Sequence, residues 1–136
     1  MFKILFLTLL ISTHASAQGS PMIAQVIQDY YQGYQKAETK LIKNSFHSET
    51  RLLSVDNGQL DITEMNDWLK SLEDRKVRGD IRQGKLKVLS IDQTDDTAVV
   101  KLTIEFPKFK FTDSLSLLRI QGKWLIVGKI YSVQEK

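Results

Sequence analysis

Cysteine is absent from the sequence, and histidine occurs only twice, at His14 and His47. The lack of cysteine excludes a disulfide framework, so packing alone has to stabilise the fold. The two shortages together leave any zinc site dependent on carboxylate ligands, and no spacing of Asp or Glu residues indicates such a site. We therefore expect neither a metal site nor a cofactor.

Excess charge and long apolar runs are also scarce. The formal net charge is +3 at pH 7 and falls to +2 if Lys3 is removed with the N-terminal segment. Such a weak positive charge is not typical of a nucleic-acid-binding protein. The N-terminal apolar run, Ile4–Ile11, is far shorter than the roughly 20 residues that span a bilayer. We expect no nucleic-acid partner and no stable membrane insertion.

Residues 1–17 have the features of a secretion signal peptide. Lys3 supplies a positive charge, Ile4–Ile11 forms a short apolar core, and Ala15-Ser16-Ala17 is a small-residue cleavage site. An uncleaved anchor or a buried helix is the alternative. We expect an exported protein, secreted or periplasmic, in which residues 18–136 form a single domain.

The C-terminal half predicts consecutive β-strands. Residues Ala98–Phe106 alternate between apolar and polar side chains, which is typical of a half-buried antiparallel strand. Pro107 ends this strand, because proline cannot donate a hydrogen bond to a sheet. Similar patterns predict four more strands, over Thr50–Val55, Lys85–Ile91, Phe111–Ile120 and Trp124–Val133.

Two helices are predicted before this meander. The first runs from Met22 to about Asn44, and Ser20 and Pro21 form its start. Gly33 inside it indicates close packing or a bend. The second runs from about Thr63 to Leu72. Helices preceding a run of strands indicate an α+β fold with the helices on one face of a bent antiparallel sheet.

The chain resembles the nuclear-transport-factor-2-like superfamily, and within it the bacterial "Putative lumazine-binding" group. The resemblance is carried by an ordered series of short segments across the chain: Val26–Tyr30, Gly33, Phe46-His47, Gly58-Gln59-Leu60, Trp68-Leu69, Ser90-Ile91-Asp92 through Ala98, Phe111-Thr112-Asp113, Leu115–Leu118 and Gly122-Lys123-Trp124.

This resemblance implies a cone: a curved antiparallel sheet wrapped around a long N-terminal helix, with a pocket between the two. It also implies a homodimer formed through the sheet. Beside the ketosteroid isomerases of the same superfamily, Tyr30 falls where they carry a tyrosine that stabilises an oxyanion. Their basic carboxylate falls near Ser54, which cannot act as a base.

Four residues are candidates for lining the pocket: Tyr30, Tyr34, His47 and Asp113. If its strand has no bulge, Asp113 shares a face with apolar neighbours, and its carboxylate has to be paired or hydrogen-bonded or has a raised pKa. The alternative is an aspartate that points to the rim and binds a basic side chain such as Arg119. His47 has the chemistry of an acid, a base or a ligand donor, but a histidine at a helix end that is satisfied by backbone or solvent is the favoured interpretation. The two tyrosines combine an aromatic face with a polar tip, which suits a partly apolar pocket.

These residues leave three functions open. The favoured one is an exported small-molecule-binding or accessory domain with an unidentified organic ligand. The second is an enzyme of the isomerase, dehydratase or cyclase type that uses Asp113 or His47 with Tyr30. The third is a structural dimerisation module. The basic run from Arg75 to Lys87 is interpreted as a solvated loop, with an anionic partner as the alternative.

Overall fold

The structure is a computed structural model that describes residues 20–136. The predicted signal peptide, residues 1–17, lies outside the described residues. Within residues 20–136 no helix is both long and apolar enough to cross a membrane. The described part contains three helices and six strands: α1 (Pro21–Lys36), α2 (Thr39–Ser45), β1 (Arg51–Asp56), β2 (Gln59–Glu64), α3 (Met65–Val77), β3 (Lys85–Thr94), β4 (Thr97–Glu105), β5 (Phe109–Ile120) and β6 (Lys123–Glu135).

The six strands form one curved, open sheet in the order β2-β1-β6-β5-β4-β3. Neighbouring strands are antiparallel except for β1 and β6, which run parallel. The predicted α+β class and the predicted meander are confirmed. The strand β2 was missed, although Leu60 and Ile62 alternate with polar residues there; both are exposed because the strand lies at the sheet edge.

The predicted long first helix is two helices. The Ser20 side chain accepts a hydrogen bond from the Ile23 N–H, as predicted, and caps α1. The chain leaves α1 at Ala37, whose φ of 53° places it in the left-handed region, and α2 then turns back. Gly33 marks close packing rather than the bend, because a Cβ there would lie 2.9 Å from Ile42 Cδ1.

The second predicted helix, α3, is also displaced. Thr63 lies in β2 rather than at the start of a helix, and α3 begins at Met65 and continues to Val77. Its N-cap is Glu64, which makes no side-chain capping hydrogen bond. The shift brings Trp68 and Leu72 over the interior, where both are buried.

The core lies between α1 and the concave face of the sheet. The buried face of α1 presents Ile23, Ile27 and Tyr30 to the inward-pointing residues of β4, β5 and β6. Aromatic rings close one side of this core, with Tyr30, Phe46 and Trp68 in mutual edge contacts at centroid distances of 5.1–6.2 Å. The interior predicted to be a pocket is therefore largely filled by side chains.

Candidate functional site

Three buried polar side chains meet inside the core. Tyr30 comes from the middle of α1, Asp113 from β5 and Lys129 from β6, and they are 1%, 0% and 6% exposed. We call them the interior triad. Sequence reasoning singled out Tyr30 and Asp113 and missed Lys129.

A register shift in β6 explains why Lys129 points inward. Trp124 and Ile126 face the core, and simple alternation would then place residue 129 on the opposite face. The pairing with β5 shifts between Ser116 and Leu117, which pair with Gly128 and Ile126, so Val127 is an extra residue. This bulge reverses the alternation and buries Lys129. Gly128 was the available signal, since a glycine inside a strand often marks a bulge.

The interior triad is joined by short polar contacts. The Tyr30 hydroxyl donates to Asp113 Oδ2 at 2.6 Å, and Lys129 Nζ donates to the Tyr30 hydroxyl oxygen at 2.5 Å. Lys129 Nζ also lies 3.3 Å from Asp113 Oδ2. The other carboxylate oxygen, Asp113 Oδ1, is buried and has no hydrogen-bond partner among the described residues.

Aromatic rings surround the ammonium group of Lys129. Its Nζ lies 4.8 Å from the ring centroids of Tyr30 and Tyr131, 5.6 Å from that of Trp68 and 5.8 Å from that of Phe111. The negative faces of such rings attract a cation, which partly replaces lost hydration. Tyr131 and Phe111 are only half-buried, so they form the side of the site nearest to solvent.

Burial moves two pKa values in opposite directions. Burial, reinforced by the charge of Asp113 and the hydrogen bond to it, raises the pKa of Tyr30 well above its ordinary value. Burial lowers the pKa of Lys129, and the nearby Asp113 charge opposes this effect. Shifted pKa values of this kind are more frequent at functional sites than elsewhere in a protein.

Tyr34 belongs to a separate polar cluster. Its hydroxyl oxygen accepts a hydrogen bond from Arg82 Nη1 at 2.6 Å, and Arg75 Cζ lies 4.8 Å from its ring centroid. Burial raises the pKa of Tyr34, and the two arginines oppose the increase. Arg75 is buried and donates to the backbone oxygens of Tyr34, Gln35 and Asp80. The predicted solvated loop is therefore wrong at Arg75, which holds the end of α1 in place.

His47 makes hydrogen bonds to β6 and within its own loop. Its backbone N–H donates to the Ile126 oxygen at 2.9 Å, and its ring Nδ1 accepts from the Glu49 N–H at 3.1 Å. Its hydrogen bonds join it to neither Tyr30 nor Asp113, so the structure assembles only the Tyr30–Asp113 part of the proposed acid–base pair. The described residues contain no cluster of three or more His, Asp and Glu side chains that could hold a metal ion.

The outer face of the sheet carries exposed apolar side chains. Two grooves there have volumes of about 430 and 880 Å³ and share Leu53, Ser114 and Ile130. Val55 of β1, Leu60 of β2 and Val99 of β4 contribute further apolar surface to these grooves. The side chains of Asp113 and Lys129 point to the opposite face of the sheet from those of their chain neighbours Ser114 and Ile130.

Comparison with known proteins agrees with this architecture. A family model described as "Putative lumazine-binding" matches residues 18–132. "Aldolase FrzH" of Cladobotryum sp is 30% identical over 107 residues, which cover 75% of this chain and 81% of that protein. An NTF2-like protein of unknown function from Shewanella baltica OS155 superposes with a TM-score of 0.73 at 23% identity, covering 85% of this chain and 93% of that one. Another from Methylobacillus flagellatus KT gives 0.72 at 21%, covering 88% and 98%.

Proposed function

The chain belongs to the "Putative lumazine-binding" family of the nuclear-transport-factor-2-like superfamily, and on that premise we propose that it binds a small organic molecule at the interior triad. The family and the fold support a ligand-binding domain in general terms. The position of the site and the chemistry of the ligand are the proposal.

The observation that carries the proposal is the unpartnered oxygen of Asp113. Oδ1 is buried without a hydrogen bond from any described residue, and leaving a buried acceptor unpaired costs about 1–3 kcal/mol. A ligand N–H group directed at Oδ1 would recover this energy. Lys129 Nζ carries three donors, so one remains for a ligand carbonyl beside that N–H group. A cyclic amide edge, with adjacent N–H and C=O groups, fits both partners.

The surrounding rings favour a flat ligand. Phe111, Tyr131 and Trp68 present aromatic surface around the Lys129 ammonium group, and flat rings pack well against such surfaces. Lumazine, a pteridine dione with a cyclic amide edge, has this chemistry. Because the interior is filled in this structure, we infer that the half-buried Phe111 and Tyr131 side chains turn outward to admit the ligand.

Thermal shift with two matched ligands tests this proposal. Lumazine should stabilise the protein, by about 2.7 kcal/mol at a concentration 100 times its Kd. 1,3-Dimethyllumazine, which has methyl groups in place of both dione N–H groups, should stabilise it far less. The Asp113→Asn variant should no longer be stabilised more by lumazine than by 1,3-dimethyllumazine. Equal stabilisation by the two ligands, or by neither, would contradict the proposed contact with Asp113.

An enzyme remains the second candidate function. The 2.6 Å contact between Tyr30 and Asp113 supports it, because a general acid–base pair has to converge on one position. The name of the Cladobotryum relative supports carbonyl chemistry in particular. Exchange of a ketone α-proton for deuterium, followed by NMR with acetone as the probe, tests this candidate. Exchange should disappear in Asp113→Asn; exchange no faster than in buffer would exclude acetone as a substrate of such a reaction.

We further propose that the protein is exported and dimeric. The signal features of residues 1–17 support export, and N-terminal sequencing of the mature protein should begin at Gln18. The exposed Leu60, Val99 and Ile130 on the outer sheet face support a homodimer formed through that face. Sedimentation should give a dimer that Val99→Lys weakens. A dimer without any ligand response would favour the dimerisation module instead.

A further inference from the structure

The structure offers an amine in an environment that suits covalent chemistry. Lys129 is buried, whereas nearly all other lysines among residues 20–136 are exposed and Lys110 is half-buried. We propose that Lys129 is a nucleophile that captures an aldehyde or a ketone as an imine. This inference rests on the proposed binding site and adds a class of ligand to it.

The contacts of Lys129 differ from those of an ordinary structural ion pair. A pair that only stabilises the fold would satisfy both carboxylate oxygens, yet Asp113 Oδ1 has no partner among the described residues. Replacing a buried ion pair by apolar residues often leaves stability unchanged or increased. Stability alone therefore gives little reason to place this pair among aromatic rings.

The groups that face Nζ are suited to moving protons. Tyr30 approaches from α1, Asp113 from β5 and Tyr131 from β6, and the rings of Trp68 and Phe111 complete the enclosure. Burial favours the neutral amine, which is the nucleophilic form. Tyr30 connects the amine to the carboxylate through two hydrogen bonds. These two hydrogen bonds provide a route for the protons that are transferred during imine formation.

The proposed step balances in atoms and electrons. The Nζ lone pair forms a bond to the carbonyl carbon, and the carbonyl π electrons move to oxygen. One amine proton reaches that oxygen through Tyr30 and Asp113, which gives a carbinolamine. The second N–H proton then travels by the same route to the hydroxyl group, the C–O bond breaks, and one water molecule leaves the imine. The reaction is a condensation and requires no oxidant or reductant.

Reductive trapping tests the inference directly. The purified protein is treated with benzaldehyde and sodium cyanoborohydride at about pH 6.5, where an ordinary lysine amine in water is almost wholly protonated. Peptide mapping by mass spectrometry then locates each benzyl group. Lys129 should be modified several-fold faster than the exposed Lys43 of α2, because burial lowers the pKa of Lys129 and favours the reactive free amine. Acetaldehyde serves as a smaller probe of the same reaction.

Variants separate the roles of the residues. Lys129→Met should remove the fast-reacting site, and Asp113→Asn should slow the modification of Lys129. The control variant Lys43→Met, on an exposed position of α2, should leave the modification of Lys129 unchanged. Should Lys129→Met fail to fold, the mapping of the unaltered protein still decides the question. Modification spread evenly over exposed lysines, or no modification at Lys129 with either aldehyde, overturns the inference.

The result also separates the two proposals. A lumazine-induced thermal shift without trapping at Lys129 would overturn the imine and leave the ligand-binding proposal intact. Trapping at Lys129 without any thermal shift from lumazine would support the imine and overturn the proposed binding of lumazine.

Discussion

The buried pair Asp113–Lys129 should be strongly coupled in stability. Removing one charged partner leaves the other buried without compensation, which costs about 3–5 kcal/mol. The Lys129→Met and Asp113→Leu variants should each lose about that much, a large fraction of the roughly 5–15 kcal/mol that stabilises a typical domain.

The double variant should lose less than either single variant. With both charges removed, the aromatic enclosure holds two apolar side chains, and the remaining penalty is the unpaired Tyr30 hydroxyl, about 1–3 kcal/mol. The two substitutions should therefore show a coupling energy above about 2 kcal/mol.

Urea unfolding, followed by tryptophan fluorescence, gives the free energy of unfolding of the unaltered protein, the two single variants and the double variant. The signal reports on the site and the core, because Trp68 lies beside Lys129 and Trp124 lies in the core. Equal m-values would show that the surface exposed on unfolding is unchanged. The exposed pair Arg51–Glu64, with a 3.0 Å contact on the sheet surface, provides a matched control whose coupling should stay below about 1 kcal/mol. Additive losses at Asp113 and Lys129 would refute the reasoning.

Further substitutions test the pH response and the packing. The folded-state pKa of Tyr30 lies above its unfolded value of about 10, so the stability that Tyr30 contributes is present below pH 10 and is lost as the pH rises through the folded-state pKa. Tyr30→Phe should therefore flatten the decline of Tm at alkaline pH, and an unchanged decline would show that Tyr30 does not cause it. Gly33→Ala gains about 1 kcal/mol of helix propensity but places the new Cβ 2.9 Å from Ile42 Cδ1, so urea unfolding should show a lower free energy of unfolding. A more stable variant would show that Ile42 moves aside at little cost. Arg75→Met removes three hydrogen bonds to backbone oxygens, including that of Tyr34, so it should lower the free energy of unfolding by about 2–3 kcal/mol. Amide hydrogen exchange should increase at the end of α1 and not throughout the domain.

The strands could be read from the sequence where one face is buried and the other is not. Residues Ala98–Phe106 alternate because β4 places Ala98, Val100 and Leu102 against the core. The edge strand β2 also alternates, but its apolar residues point to the outer face and remain exposed. With no buried residue to confirm the alternation, the sequence predicts no strand here and places the start of the second helix at about Thr63.

The helical break could not be read from the apolar pattern alone. Leu41 and Ile42 continue the spacing of α1, yet the chain adopts a left-handed conformation at Ala37 and folds α2 back over Gly33. Packing of Ile42 against Gly33 determines this turn. Spacing along one helix contains no information about that contact.

Two of the three residues of the interior triad could be identified from the sequence. Asp113 lies at a period-two position among apolar residues, and Tyr30 lies on the apolar face of α1, so both are candidates for the interior, although a position at the sheet rim is the alternative for Asp113. Their hydrogen bond joins residues 83 positions apart in the chain, and only the sheet wrapped around α1 brings them together. His47 was a candidate by residue type alone, and its backbone contact with Ile126 directs it to a different environment.

The sequence by itself determined the α+β class, most strands and the start of the first helix, because these depend on local periodicity and capping. The tertiary structure alone decided that a lysine joins Tyr30 and Asp113 in the core. That outcome depends on one extra residue, Val127, which reverses the alternation of β6. Such a bulge arises from the pairing of β6 with β5, and pairing between distant strands is a property of the folded chain rather than of either strand's sequence.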